Sequence, residues 1–175
     1  MKLLIISGLS FYLLLSGALA DYKLICSTQK EGLQMDVYAA TLLSGELKHE
    51  VSVRIFLKNV SDKKMSVLTK FVGGHISRGK NNGYYIFLMK GSRRGIKGEQ
   101  LKDSLEGRGV VILAPDETTE LPTVLKGFED GQEAERVLKT LSVYYSLHPT
   151  GDLDYGNLWR GEMEAKSKSL RKLHN

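Results

Sequence analysis

Val51-Ser52-Val53-Arg54-Ile55-Phe56-Leu57-Lys58 is the stretch that decides the fold class. Val51, Val53, Ile55 and Leu57 fall on one side of an extended chain, and Ser52, Arg54 and Lys58 on the other. A period of two is that of a strand with one face on a core and one in water. Ile55 is thereby placed inside and Arg54 outside. Upstream, Leu33-Gln34-Met35-Asp36-Val37-Tyr38-Ala39 has the same alternation. Downstream, the polar run 59–64 makes a turn and Met65 to Phe71 resumes the pattern. These two strands read as a hairpin or as neighbours across a corner.

Farther along, Asn82-Gly83 is a hairpin dipeptide, since both residues tolerate positive φ. Tyr84 to Met89 is apolar on both faces and reads as a central strand. Val110 to Ala114 reads as a short buried strand that stops at Pro115. Asp130 and Glu133 have capping-box spacing, and Ala134, Val137, Leu138 and Leu141 follow at helical intervals, which predicts one short helix. Thr140 to Leu147 and Leu158 to Ala165 return to strand, the latter with Trp159, Met163 and Ala165 on one face. Seven or eight short strands without βαβ alternation predict an all-β fold, an immunoglobulin-like antiparallel β-sandwich, with a small β-barrel as the alternative.

Two pieces resemble bacterial immunoglobulin-like sandwich domains. The run Val53 to Val67, a strand leading into Asn59-Val60-Ser61-Asp62-Lys63 and then a second strand, is similar to a segment of those domains. The run Val111 to Leu121 resembles their strand followed by a Pro-Gly-Glu turn, with Asp116 where glycine is usual. The resemblance implies a fold class and no activity, because this architecture hosts many functions.

The chain has 175 residues, 42% of them hydrophobic, which suffices for one domain with a core. With 25 Lys and Arg against 20 Asp and Glu, its net charge of +5 lacks the concentrated basicity of a nucleic-acid binder. One cysteine excludes an intrachain disulfide and any zinc site of clustered cysteines. Met1-Lys2, the apolar run Leu3 to Leu15 and Ala18-Leu19-Ala20 have the layout of a secretory signal peptide cleaved before Asp21. Residues 1–20 are therefore expected to be a signal peptide, 21–166 a single domain and 167–175 a basic tail. The expected location is secreted or periplasmic, without a transmembrane segment after cleavage.

Candidate chemistry is sparse. No nucleotide-binding, hydrolase-elbow or zinc-protease motif occurs. His75, Met89 and His148 could serve a soft metal only if the fold gathered them. Asp152, Asp154 and Asn157 lack the spacing of a calcium loop. Neither these carboxylates nor Glu162 is marked for acid–base work, so no enzyme, metal or cofactor is expected. Cys26 reads as a small apolar residue of the first strand, or as a partner for an intermolecular disulfide. Asn59-Val60-Ser61 matches the N-glycosylation sequon, which matters only in a eukaryotic host.

Two features point to recognition. From Arg78 to Arg108 the chain holds eight positive and three negative charges, with Lys90, Arg93, Arg94 and Lys97 among glycines. Such a loop suits a protein or an anionic envelope component. Tyr155, between Asp154 and Gly156, is the surface aromatic, whereas Trp159 shares a face with Met163 and one ring of Tyr144-Tyr145 must point inward. The expected function is an exported, non-enzymatic binding or interaction module for a macromolecular partner, through Lys90, Arg93, Arg94, Lys97 and Tyr155. The alternative is a carbohydrate-binding module, which an exposed aromatic shelf would favour. A small hydrolase or metal-binding protein comes third.

Overall fold

The computed structural model describes residues 21–44, 48–69, 74–79, 83–88, 109–147 and 157–167. Among them the protein is all-β apart from one short helix, and its sheets are built mainly of antiparallel pairs. The first sheet starts with β1 (Lys23–Lys30), β2 (Leu33–Ser44) and β3 (Lys48–Asn59). Glu31 and Gly32 join β1 to β2 with φ of 50° and 79°, the left-handed pair of a tight hairpin turn. Glycine is required at the second position for space as well. A Cβ there would lie 2.8 Å from that of Ser61.

The alternation deduced from residues 33–39 and 51–58 matches the observed faces. Leu33, Met35, Val37 and Ala39 of β2 point inward with Val51, Val53, Ile55 and Leu57 of β3, and all are buried. Val37 sits opposite Ile55, so the two apolar rows reinforce each other across the ladder. A bulge between Leu24 and Cys26 turns Cys26 toward this core beside Val37. Cys26 is 5% exposed, as a small apolar residue would be, so an intermolecular disulfide would require the strand to open.

After Asn59 the chain turns a corner into β4 (Met65–Leu68), which pairs with β7 (Val110–Leu113) in a separate two-stranded ribbon. Asn59 holds that corner. Its buried Nδ2 donates to the carbonyls of Lys63 (2.7 Å) and Leu113 (3.0 Å). Its Oδ1 accepts from the backbone N–H (3.0 Å) and hydroxyl (2.7 Å) of Ser61. The sequon therefore presents no free amide in the folded chain. The ribbon also corrects the expectation of a buried strand at 110–114: β7, with one neighbouring strand among the described residues, has Ile112 65% exposed.

The second sheet has the order β11-β10-β6-β5, with β5 (Ile76–Arg78), β6 (Tyr84–Leu88), β10 (Leu141–Leu147) and β11 (Gly161–Lys166). β5 and β6 form the hairpin that Asn82-Gly83 predicts, closed by a bond from Gly79 N to Gly83 O. β6 is central, as expected, but its pairing with β10 is parallel. Two further strands, β8 (Thr118–Glu120) and β9 (Val124–Phe128), lie end to end along β3 and complete the first sheet. Pro122, which has no N–H to donate, sits in the gap between them. Among the described residues the strands thus number eleven, more than the seven or eight expected. β5 and β8, three residues each, are too short to show a period.

Between β9 and β10 runs α1 (Gly131–Thr140), capped by Asp130, whose side chain accepts from Gln132 N at 2.8 Å. Only half of the expected capping box appears as a cap. The Glu133 carboxylate instead accepts the hydroxyl of Tyr84. Ala134 and Val137 are buried against β2, β3 and β9. Leu141, expected on the helix stripe, opens β10 in extended conformation.

Both sheets contribute to one apolar cluster. Tyr145 points into it and Tyr144 out, as the adjacent pair requires. The Tyr145 hydroxyl donates to Leu68 O at 2.9 Å and accepts from Leu68 N at 3.2 Å, tying the second sheet to the ribbon. Trp159 is 4% exposed, as its shared face with Met163 predicts, and its indole donates to Lys30 O at 3.3 Å. Lys166 ends β11, and Ser167, the first residue of the expected tail, is buried, its N–H on Leu141 O.

Burial raises the hydroxyl of Tyr145 well above the ordinary tyrosine value, against a weaker opposing effect of the bond to Leu68. Burial, then the bond to Glu164, pushes Tyr144 up to about 12. A group held protonated in the folded state but free to ionise when unfolded contributes fully below its unfolded value and loses that contribution as pH rises through its folded one. Urea midpoints are therefore expected to fall as pH climbs from about 10 toward 12. Ultraviolet phenolate titration of the folded chain should show a fraction of tyrosines ionising late. If all tyrosines ionise together at the ordinary value, these two environments are wrongly described.

Candidate functional site

The outward face of the first sheet carries the site. Alternation sends Gln34, Asp36 and Tyr38 of β2 outward with Ser52, Arg54, Phe56 and Lys58 of β3. Register then sets Tyr38 opposite Arg54 and Asp36 opposite Phe56. On the flanks, Ser27 faces Asp36, and Glu120 faces Phe56. Residues distant in sequence thereby share one patch.

Arg54 is its centre. Its Nε and Nη2 donate to the two carboxylate oxygens of Glu120 at 2.6 and 2.7 Å, a bidentate fork. Its guanidinium carbon lies 5.3 Å from the Tyr22 ring centre and 5.2 Å from that of Phe56. Both distances are within cation–π range. The Tyr22 hydroxyl is 2.7 Å from Ser52 Oγ, and Tyr38 meets Phe56 edge-on at 5.6 Å and 90°. Asp36 is held by Ser27 Oγ at 2.5 Å and by Gln34 Nε2 at 2.9 and 3.0 Å. Tyr22, Asp36, Tyr38, Arg54, Phe56 and Thr118 line a cavity of about 470 Å³.

The charges are balanced. The bond from Arg54 holds the Glu120 carboxyl below its ordinary value although burial opposes the shift, and the same bond raises Arg54. Glu120 stays ionised at neutral pH and unsuited to donate a proton. Arg54 and Glu120 cancel, Lys58 is paired with Asp116 at 2.9 Å, and Asp36 leaves one negative charge. The cup thus combines rings with fixed hydrogen-bonding groups and little net charge.

A second aromatic group lies on the outward face of the other sheet. Phe87, 44% exposed, stacks on Tyr144 with centroids 4.9 Å apart and planes 22° apart, and Tyr85 meets Phe87 edge-on with centroids 4.9 Å apart.

Lys90, Arg93, Arg94, Lys97 and Tyr155, the side chains expected to bind a partner, lie outside the described residues, as do Met89, His148, Asp152 and Asp154. His75 is exposed, Glu162 stands on β11, and no group of three metal-ligating side chains occurs among the described residues. Nor is any helix among them long and apolar enough to cross a membrane. Sequence reasoning missed the cup itself. The available signal was Tyr38 and Phe56, large rings on the polar side of two alternating strands. No family model, curated protein or solved structure matches this chain.

Proposed function

We propose that this chain is an exported, non-enzymatic binding module, an immunoglobulin-like sandwich that recognises a macromolecular partner through the outward face of β1, β2, β3 and β8. The observation that carries this reading is the cup around Arg54. A water-facing sheet side is polar by default, and nothing in the core calls for three rings there. Tyr and Arg are also the residue types that dominate binding energy at interfaces. The basic stretch containing Lys90, Arg93, Arg94 and Lys97 would add attraction for an anionic envelope component, screened beyond about 8 Å at physiological salt.

Co-sedimentation of the full chain with envelopes of the producing cell tests the reading. Tyr38→Ala and Arg54→Lys should each lower the bound fraction several-fold. Arg54→Lys keeps the charge but loses the planar fork. Phe87→Ser, on the opposite sheet, should bind as the native chain does, with circular dichroism establishing that all three are folded. Unchanged binding by both cup variants would overturn the assignment.

A further inference from the structure

The ligand chemistry can be read from the cup, on the premise that the cup is the recognition surface. We propose that it takes a neutral saccharide unit, one or more pyranose rings of an uncharged glycan. Three observations support this assignment.

The first is the ring geometry. Tyr38 and Phe56 stand at 90° with centres 5.6 Å apart, so Tyr38 can lie under the C–H face of a pyranose while Phe56, already faced by Arg54, bounds its edge. The second is the polar inventory. A sugar hydroxyl both donates and accepts, so its site needs both functions within one ring's width. Arg54 spends Nε–H and one Nη2–H on Glu120, which leaves three of its five donors. Asp36 and Glu120 offer acceptor oxygens, and the Thr118 hydroxyl supplies either function at the cavity wall. Bonds from Ser27, Gln34 and Arg54 hold the two carboxylates in place beforehand, which lowers the entropy lost on binding.

The third observation is charge, and it selects among ligands. A phosphate, sulfate or uronate would find its natural partner, Arg54, already neutralised by Glu120, and would approach Asp36 as well. A quaternary ammonium is held by several ring faces at once, but Arg54 already stands over both Tyr22 and Phe56 and leaves only Tyr38, whereas a pyranose needs one face. An uncharged ligand meets neither obstacle. The volume of about 470 Å³ also lies in the usual range for ligand sites.

Calorimetric titration of the full chain provides the test. Its probes are neutral oligosaccharides of glucose, xylose, mannose and N-acetylglucosamine, oligogalacturonate as the acidic counterpart, and choline as the cation. At least one neutral series should bind saturably, with affinity unchanged between low and high salt. Tyr38→Ala and Arg54→Lys should each weaken it about tenfold, and Phe87→Ser should not. Stronger binding of oligogalacturonate or choline, or no binding of any neutral series, overturns the saccharide assignment. If the cup variants nevertheless lose envelope binding in that second outcome, the recognition surface stands and only the ligand class falls. If they keep envelope binding, the surface itself is wrong.

Discussion

Ile55→Ala is expected to destabilise the chain by about 2–5 kcal/mol. Ile55 is 0% exposed, and its backbone carbonyl accepts Leu121 N at 2.8 Å, in the gap between the β8 and β9 pairings. Val37 stands opposite it on β2. Truncation removes apolar surface from the cluster that both sheets share. The β3 backbone, hydrogen-bonded on both sides, cannot move in to close the cavity. For a chain of this size each kcal/mol lowers the melting temperature by roughly 2–4 °C. The adjacent Arg54→Ala should cost only about 1 kcal/mol, since its ion pair is solvent-exposed. Thermal melts of the two variants make the comparison. Equal losses would mean that the inward and outward faces of β3 have been interchanged.

Asn59→Ala is expected to cost about 2–4 kcal/mol, unusual for one polar residue. The side chain is fully buried and makes four hydrogen bonds, two donated and two accepted. Alanine would strand the carbonyl of Leu113 away from water and remove one of the two donors to that of Lys63, which the Ser61 hydroxyl also reaches at 3.0 Å. It would also remove the side-chain tie from the corner between β3 and β4 to Leu113, leaving the corner held to the turn at 114–117 only by the backbone bonds of residue 59 to Glu117 and Asp116. Asn59→Asp gives a sharper test. It keeps the acceptor for Ser61 but offers no amide donors and buries a charge, so it should be at least as damaging at neutral pH. Urea unfolding of both variants reads the effect. A change below about 0.5 kcal/mol in either would show that water, not Asn59, satisfies those carbonyls.

Asn59 also shows how far the sequence can be read. As Asn-x-Ser it looks like a modification site, and within the run from Val53 to Val67 it looks like part of a sandwich motif. Only the fold separates the two, because Leu113 approaches from 54 residues away. In Tyr144-Tyr145 the sequence requires one ring inside without saying which. Pairing with β6 and β11 turns Tyr145 in and leaves Tyr144 against Phe87.

By itself, the sequence determined the strands long enough to show a period, the inward rows of β2 and β3, the core position of Trp159, and the helix after Asp130. These are local properties: the choice of face repeats every two residues in a strand and about every 3.6 in a helix, so neighbours along the chain disclose it. The tertiary structure alone decided that Glu120 reaches Arg54 across 66 residues, that β6 and β10 run parallel, and that Tyr22, Tyr38 and Phe56 gather round one guanidinium. The physical reason is that lateral pairing joins segments separated by long connections. Which strand lies beside which depends on the packing of the whole core, and no spacing within one strand encodes it.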